Sequence, residues 1–302
     1  MEIPADFAQR MIEVHGAAGR AWLAGLPGLL AACAADWGLT VGPPFPLSYN
    51  YVAPATRADG TEVVLKVGVP CVGLWGEMAA LRVYDGRGSV QLLAADHARG
   101  VMLLERLRPG TPLSIVEDDA AATAIAAGVM RALRHPPPAD HAFRTVDAWA
   151  AGLGKLRARF GGTTGPLPAD LVTRAETLFA ELLASQAPPV VLHADLHHGN
   201  ILAATRAPWL AVDPQGVVGE PASEVGVWLH NPLPWLLQQP DPSRILARRI
   251  DQLSDLLGFD RTRIHAWGLA TAVLSAWWSI EDHGYGWEGA IAVARLLAAL
   301  PG

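Results

Sequence analysis

The chain changes character near residue 107, and this change limits what it can fold into. Before that point, four short apolar runs with strand-like alternation surround one helical stretch at residues 77–84. The runs cover residues 49–54, 61–67, 90–94 and 100–104. Beyond residue 107, long Ala/Leu-rich helical stretches dominate. The order predicts a small antiparallel sheet with one packed helix, followed by a larger helical part, in an α+β chain of two lobes.

Local breaks divide the chain further. Asp59-Gly60 predicts a hairpin turn, and Gly16 and Pro27 are expected to divide the amino-terminal segment into two or three short helices. The predicted long helices cover residues 116–133, 146–160, 168–185, 244–257 and 261–281. The predicted domains are a helical cap at residues 1–40, a β-rich lobe at 41–106 and a helical lobe at 107–302.

Composition excludes several classes of protein. Of the 302 residues, 51% are hydrophobic, which supports a substantial core and excludes a disordered or fibrous chain. The longest apolar stretch, residues 21–35, is interrupted by glycine and proline and is shorter than the roughly 20 residues that cross a bilayer, so no membrane span is expected. The first residues lack the pattern of a secretory signal. Two cysteines, Cys33 and Cys71, cannot form a disulfide framework, which favours a cytoplasmic protein.

Charge gives a second set of limits. The chain has 29 acidic and 23 basic residues, a formal charge of −6, and no run of basic residues, so nucleic acid is not an expected partner. We expect a monomer or weak dimer. Lys66 and Lys155 are the only lysines although arginine is plentiful, so each lysine is a candidate for a specific role.

One polar segment interrupts the helical part. His-Ala-Asp-Leu-His-His-Gly-Asn at residues 193–200 and Asp-Pro-Gln-Gly at residues 213–216 lie beside short apolar strands. Asp195 and Asn200 are five residues apart, and Asp213 lies 13 further on (213 − 200). This spacing suits a loop and a two-stranded hairpin that returns Asp213 to face Asn200.

These residue types match the needs of phosphoryl transfer, namely an aligned nucleophile and cations against the phosphate charge. Asp213 and Asn200 offer the oxygen ligands that Mg²⁺ prefers. Asp195 can accept a hydrogen bond from a substrate hydroxyl and take its proton. For a single Asp, a polar surface turn is the ordinary alternative, but the whole set at this spacing disfavours it. A metal hydrolase would need further ligands at fixed spacing, and none is evident.

The segment resembles the protein-kinase-like superfamily, with its pattern His-x-Asp-x-x-x-x-Asn and a metal-binding Asp that begins a short turn. It is more closely similar to the aminoglycoside phosphotransferases, and among them to the streptomycin 6-phosphotransferase and hydroxyurea phosphotransferase branch. The resemblance covers nearly the whole chain. It rests on residues 192–202 and 212–232, together with Leu65-Lys66-Val67 and Glu77. It implies a bilobal protein-kinase-like fold that uses ATP and Mg²⁺, with GTP left open.

Two positions depart from the family pattern. Ala194 stands where the family usually has Gly, and Glu224 where it usually has Asp. Ala194 is small enough to be tolerated there if its backbone angle is ordinary. The resemblance implies that Glu224 braces the catalytic loop and that His193 is structural.

The β-rich lobe should bind the nucleotide. Lys66 lies on an alternating strand, where a kinase places its phosphate-binding lysine, and Glu77 on the next helix would hold it in an ion pair. The alternative for this pair is a surface salt bridge. There is no glycine-rich loop before Lys66 and no Walker motif, which disfavours a P-loop fold.

Further nucleotide contacts follow from the resemblance. It implies that the turn containing Ser48 and Asn50 covers the phosphates. It also implies that the backbone from Glu105 to Leu107 binds the adenine edge.

The acceptor is expected to be small and cationic. Carboxylates beside the catalytic base would bind it, and Glu220, Glu281 and Asp282 are the candidates. The last two end the helix that carries Trp277, and the resemblance implies that this region borders the acceptor pocket. The ordinary alternative is that these acidic side chains are only solvated and that Trp277 packs in the core.

The sequence thus predicts an ATP-dependent kinase for the hydroxyl of a small molecule, with streptomycin or hydroxyurea as the leading acceptor. A kinase of amino sugars or other metabolites is the first alternative. A nucleotide-binding pseudokinase is disfavoured because the complete catalytic set is present. A protein kinase is disfavoured because no long activation segment or Ala-Pro-Glu anchor follows Asp213.

Overall fold

The computed structural model describes residues 3–301, so residues 1–2 and 302, at the outer edges of the predicted domains, lie outside it. The predicted α+β chain with two lobes is confirmed. The amino-terminal lobe contains a five-stranded antiparallel sheet. Its strands, in spatial order, are β1 (Leu39–Val41), β2 (Tyr51–Arg57), β3 (Glu62–Val67), β5 (Val101–Glu105) and β4 (Leu92–Asp96). The predicted turn at Asp59-Gly60 joins β2 to β3, and its glycine has the positive φ that such turns require.

Alternation along β3 separates two small cores. Val63, Leu65 and Val67 face the first helix, whereas Val64 faces the second helix together with Met102. Lys66 belongs to this second face, and its register places it opposite Met102 on β5. The predicted strand therefore brings its lysine to the side of the sheet where α2 (Val72–Tyr84) packs.

The first helix, α1 (Ala5–Trp37), buries one face on the sheet. The expected break at Gly16 is present as a kink, with φ 58° and ψ −127°. The expected break at Pro27 is wrong. Pro27 lies on the exposed face, while Leu26 and Leu30 are buried and hold the helix in place.

By length and composition alone, α1 could cross a membrane, which the sequence interpretation of residues 21–35 did not anticipate. The kink at Gly16 divides the helix, and Phe7, Met11, Leu26 and Leu30 pack against the sheet of the same chain. These contacts bury one face of the helix, although only 22% of its most apolar window is buried.

The second helix links the lobes. Leu74, Met78 and Leu81 pack under the sheet, and the Tyr84 hydroxyl donates to the Val191 carbonyl of the other lobe at 3.2 Å. At the other end, a Cβ on Gly76 would lie 2.7 Å from the backbone oxygen of Gln215. The close approach that this glycine permits places α2 against the segment that follows Asp213.

The carboxy-terminal lobe is mainly helical and carries two three-stranded sheets. One sheet has the order β10 (Trp209–Ala211), β9 (Ile201–Ala204), β6 (Pro109–Pro112), and the other β7 (Arg144–Thr145), β11 (Val217–Gly219), β8 (Val190–Leu192). The helices are α3 (Asp119–Ala132), α4 (Val146–Ala150), α5 (Gly152–Arg159), α6 (Ala169–Ala184), α7 (Val225–His230), α8 (Leu233–Leu237), α9 (Pro242–Leu257), α10 (Arg261–Asp282) and α11 (Glu288–Ala299). All five predicted long helices are present, although the second is divided into α4 and α5.

A buried ion pair joins α3 to α9. Arg249 is fully buried, and its guanidinium binds the Asp119 carboxylate with both Nε and Nη2, at 3.0 and 2.5 Å. Its Nη1 donates to backbone carbonyls at the end of α7, including Asn231 at 2.7 Å. The guanidinium therefore ties three helices together behind the catalytic loop.

Candidate active site

The polar segment forms the predicted loop and hairpin. The loop follows β8 and ends in a short 3-10 turn, His198–Asn200, before β9 and β10 return the chain. The Val212 N–H donates to the Asn200 carbonyl at 2.9 Å, so Asp213 emerges beside Asn200. The pairing of β9 with β10 thus produces the juxtaposition that the spacing predicts.

Asp195 and Asn200 are in direct contact. The Asn200 Nδ2 donates to the Asp195 backbone oxygen at 2.9 Å and to its carboxylate at 3.3 Å. With its amide nitrogen committed in this way, Asn200 keeps Oδ1 as a free acceptor. The Asp195 side chain is 42% exposed, so it can still be reached by a ligand.

Glu224 holds the loop from behind. Its carboxylate accepts from the backbone N–H groups of His193 and Ala194 at 2.7 and 2.8 Å, which confirms the expected brace. Burial raises the pKa of Glu224 to about 7. His193 is also structural, as expected, because its Nε2 donates to the Val212 carbonyl at 2.8 Å and its ring is fully buried.

The condition for tolerating Ala194 is not met, because its backbone angle is not ordinary and its φ is 66°. This left-handed conformation explains the glycine that the family usually has there. For a residue with a Cβ it costs about 1–2 kcal/mol. The two hydrogen bonds to Glu224 hold the loop in this shape.

Lys66, Glu77 and Asp213 meet between the lobes. The Lys66 Nζ contacts both Glu77 oxygens, at 2.7 and 2.8 Å, and the Asp213 Oδ1 at 2.9 Å. The predicted ion pair is therefore present, and it is buried: the Lys66 and Glu77 side chains are 2% and 8% exposed. Asp213 is more open, at 48%, and can reach a further ligand.

Burial and neighbouring charges determine the pKa values of Lys66, Asp213 and Asp195. Burial alone would lower the pKa of Lys66, but the two carboxylates outweigh it and keep the ammonium charged. Burial acts to raise the pKa of Asp213, and the charge of Lys66 more than reverses that effect. No cation contacts the Asp195 carboxylate in the described part of the chain apart from the partly exposed His197, 3.9 Å away. Burial and the charge of Asp213 raise the pKa of Asp195 to about 7.

The donor set suits a hard cation. Asn200, just before β9, and Asp213, just after β10, present an amide oxygen and a carboxylate at the same end of this hairpin, and Mg²⁺ prefers such ligands. Within residues 3–301, no group of three or more His, Cys, Asp or Glu side chains is placed to hold a metal. His198 instead stacks on Trp228, with ring centroids 4.0 Å apart. This geometry argues against the hydrolase alternative.

The other predicted nucleotide residues lie in the upper lobe or its connection to the lower one. The carbonyl of Ser48 accepts from Arg10 of α1 at 3.4 Å, and the Asn50 side chain lies against Gly68. The Glu105 N–H already donates to the Gln91 carbonyl at 2.9 Å, so that group is not available to adenine. The Glu105 carboxylate is also engaged, by Arg206 at 2.9 Å.

A cavity of about 580 Å³ opens beside Asp195 in the lower lobe. Glu281 and Asp282, predicted to face the acceptor, both line it. The remaining lining residues were not predicted, and they include Arg144, Trp149, Lys155, Gln215, His230 and Trp278. Of these, only Lys155 gave a signal in the sequence, as one of two lysines.

Two predicted acceptor residues do not line this cavity. Glu220 is 1% exposed, and its carboxylate is bonded to Arg263 at 2.6 Å and to the Trp267 indole nitrogen. It is an internal link between the start of α10 and the loop before α7. Trp277 points into the core, whereas its neighbour Trp278 lines the cavity, because one residue turns a helical side chain by about 100°.

Known proteins are similar to the chain in sequence and in fold. Residues 46–283 match the family model described as aminoglycoside/hydroxyurea antibiotic resistance kinase. A hydroxyurea phosphotransferase from Kitasatospora aureofaciens is 38% identical over 100% of this chain and 87% of its own length. A streptomycin 6-kinase from Streptomyces glaucescens is 34% identical over 93% of this chain and 92% of its own.

Solved structures share the fold. A choline/ethanolamine kinase family protein from Mesorhizobium loti has a TM-score of 0.65 at 20% identity, over 93% of this chain and 94% of its own. A thermostable mutant of the aminoglycoside phosphotransferase APH(4)-Ia, in ternary complex with ADP and hygromycin B, has a TM-score of 0.61 at 16% identity, over 89% of this chain and 99% of its own. With the matched family model covering most of its length, the chain belongs to the aminoglycoside/hydroxyurea antibiotic resistance kinases, a family of small-molecule phosphotransferases.

Proposed function

We propose that this protein transfers the γ-phosphate of magnesium-bound ATP to a hydroxyl of a cationic small molecule of the aminoglycoside type. One observation carries the proposal: Lys66, Asp213, Asn200 and Asp195 converge between the lobes, beside a cavity that carries Glu281 and Asp282. The family supports nucleotide-dependent phosphorylation in general, and the geometry supports the assignment of roles.

The upper lobe would bind the nucleotide. Lys66, held by Glu77, would contact the α and β phosphates. The turn with Ser48 and Asn50 would cover them. The Glu105 carbonyl and the Leu107 backbone would meet the adenine edge. The same backbone groups could bind GTP.

Asp213 and Asn200 would hold Mg²⁺, which when bound offsets the negative charge on the phosphate oxygens. Asp195 would accept a hydrogen bond from the acceptor hydroxyl and orient it in line with the γ-phosphorus. The acceptor oxygen forms the new bond to phosphorus, the bond to the bridging oxygen breaks, and ADP leaves. The hydroxyl proton passes to the Asp195 carboxylate, which is 42% exposed and can be reached by the acceptor.

The cavity favours a larger acceptor over a very small one. Its volume, about 580 Å³, is in the range of sites for drug-sized ligands, which exceeds what hydroxyurea would fill. The rings of Trp149 and Trp278 meet edge to face at 4.8 Å and give it an apolar surface, while Glu281 and Asp282 suit cationic groups. Streptomycin is therefore the first acceptor to test, followed by amino sugars and hydroxyurea.

The cellular location and the oligomeric state are proposed from the cysteines and from the expectation of a monomer or weak dimer. Both cysteines are free thiols, which fits a reduced cytoplasm, and we expect the protein to act as a monomer or weak dimer.

ADP release, measured with streptomycin, glucosamine and hydroxyurea, tests the proposal. We expect turnover with at least one acceptor. Asp195→Asn should lower kcat by about 10²–10⁴ while ATP affinity is retained. Asp255→Asn, at an exposed position of α9, is the matched control and should behave as wild type. ATP binding without turnover on any acceptor would favour the pseudokinase alternative, and normal turnover by Asp195→Asn would exclude the assigned base.

A further inference from the structure

The acceptor cavity has a basic side as well as an acidic one. Arg144 from β7 and Lys155 from α5 line it together with Glu281 and Asp282 from the end of α10. Acidic groups suit a polycationic acceptor, but cations in the same cavity would repel it. The presence of Arg144 and Lys155 in this cavity therefore needs a separate explanation.

Arg144 has no acidic partner. Within residues 3–301, no carboxylate lies within 4.0 Å of its guanidinium, and its one hydrogen bond, to the Gln215 Oε1, is long at 3.4 Å. Two other partly buried arginines, Arg99 and Arg157, bind a carboxylate at 2.7 and 2.6 Å, whereas Arg106 and Arg134 lie over aromatic rings. Burial lowers the pKa of Arg144, but an arginine remains charged. Most of its donors are thus free to meet a ligand.

Its position is also fixed. Arg144 pairs with Val217 of β11 through the backbone, and its guanidinium lies 5.7 Å from the centre of the Trp149 ring. Gln215, its hydrogen-bond partner, is itself bound through its N–H to the His193 carbonyl at 2.8 Å. The guanidinium therefore lies beside the segment that follows Asp213, and that segment is hydrogen-bonded to the start of the catalytic loop.

The acceptor, and not the nucleotide, is the natural ligand of this cation. The cavity that Arg144 lines includes Asp195, but Lys66 and Asp213, the proposed phosphate and metal groups, are not part of its lining. The planar guanidinium binds oxyanions with two parallel hydrogen bonds, which a point charge cannot do. Lys155 is exposed and can add charge from the rim.

We propose that Arg144, assisted by Lys155, binds an anionic oxygen group of the acceptor, so that the acceptor is bipolar. Its ammonium groups would face Glu281 and Asp282, its carboxylate or similar oxyanion would face Arg144, and the hydroxyl between them would meet Asp195. This inference rests on the proposed kinase function and changes its acceptor, from a purely cationic molecule to an amino sugar or similar compound that also carries an oxyanion.

A matched pair of sugars tests it. Glucosamine carries an ammonium group, and muramic acid is glucosamine with an added lactyl carboxylate. Binding of each sugar is measured by calorimetry in the presence of Mg²⁺ and ADP, together with ADP release from ATP. We expect wild-type protein to bind muramic acid at least about tenfold more tightly than glucosamine. Arg144→Gln should remove this preference and leave glucosamine binding unchanged.

Two further variants serve as controls. Arg20→Gln removes an exposed cation on α1 that is outside the cavity lining, and it should keep the preference, which separates local contact from net charge. Lys155→Gln should reduce the preference only partly. Thermal unfolding of Arg144→Gln checks that the variant is folded.

Several results would overturn the inference. Wild-type protein that binds the two sugars equally, or binds neither, has no oxyanion subsite of this kind. If Arg144→Gln lowers turnover on both sugars and ATP hydrolysis in water by the same factor, Arg144 acts on the transferred phosphoryl group. One outcome separates the two proposals. If wild-type protein prefers muramic acid in binding but phosphorylates neither sugar, the oxyanion subsite is supported and the kinase proposal fails for these acceptors.

Discussion

Burial decides the charge of several single residues in this protein. His193, His198 and His230 are all buried, and burial lowers the pKa of each to about 4, 3 and 4. His230 lines the acceptor cavity, and its Nδ1 donates to the Gly226 carbonyl at 2.9 Å, as a neutral imidazole can. In the folded protein, these three imidazole rings are therefore uncharged at neutral pH.

The pH dependence of stability should reflect His230. The unfolded chain takes up a proton below its ordinary pKa of about 6.5, whereas the folded protein does so only near 4. Stability is therefore lost as the pH falls through this interval. Between pH 7 and pH 5, the free energy of unfolding of wild type should fall by about 2 kcal/mol more than that of His230→Gln.

Urea unfolding at the two pH values measures this difference. His283→Gln, at an exposed position, is the control and should show the wild-type decrease. Equal decreases in wild type and His230→Gln would mean that His230 is not held neutral by the fold.

At the scale of secondary-structure elements, the catalytic loop depends on α7 and its neighbours. Glu224, just before α7, holds the first part of the loop, and Trp228 within α7 stacks on His198 in the second part. Arg249 from α9 binds carbonyls at the end of the same helix. The loop geometry is thus set by one short helix that is itself fixed from behind.

Removing the stack should loosen the 3-10 turn that carries Asn200. His198→Ala is expected to lower the free energy of unfolding by about 1–2 kcal/mol and to raise the KM for magnesium-ATP. Because His198 is neutral and its Nδ1 has no hydrogen-bond partner among the described residues, His198→Phe should keep the stack and stay close to wild type in KM. Kinetics and urea unfolding on the two variants make the comparison. A KM unchanged in His198→Ala would show that the ring does not position Asn200.

The ion pair between α3 and α9 should contribute more to stability than the stacking of His198 on Trp228. Asp119→Ala leaves the buried Arg249 guanidinium without its carboxylate, which we expect to cost about 3–5 kcal/mol. The adjacent Asp118 only caps α3, where its side chain accepts from Ala120 and Ala121, so Asp118→Ala should cost about 1 kcal/mol. Equal losses in urea unfolding would assign both residues the same capping role.

For the molecule as a whole, the junction of the lobes combines an apolar cluster, in which Leu210 packs against Met78 and Leu81, with polar contacts. Lys66 of the upper lobe reaches Asp213 of the lower lobe, and α2 touches the lower lobe at both of its ends, through Gly76 and Tyr84. A nucleotide that contacts Lys66 and, through the metal, Asp213 would bind to both lobes at once. Its binding should therefore stabilise the whole fold.

Magnesium-ATP at 100 times its Kd should raise the free energy of unfolding by about 2.7 kcal/mol. Addition of EDTA should remove most of the effect. Asp213→Asn should show a much smaller gain at the same concentrations, and thermal unfolding monitors all three conditions. A full gain in the presence of EDTA would argue against a metal held by Asp213 and Asn200.

The sequence by itself determined the two-lobed architecture and the centre of the site. Alternation with a period of two marks the strands, and an apolar helical pattern marks the long helices, because each pattern must bury one face. Asp195, Asn200 and Asp213 come together because a short hairpin connects them, and that geometry is local. Lys66 follows from its strand and from the scarcity of lysine.

Only the tertiary structure decided which side chains face the acceptor. Whether Trp277 or Trp278 reaches the cavity depends on the rotation of α10 against its neighbours. Glu220 is removed from the site by Arg263, 43 residues away in sequence. Arg144 lines the cavity from β7, a strand of two residues that is too short to show an alternating sequence pattern. Spacing along the chain cannot report these contacts, because they depend on how distant elements pack.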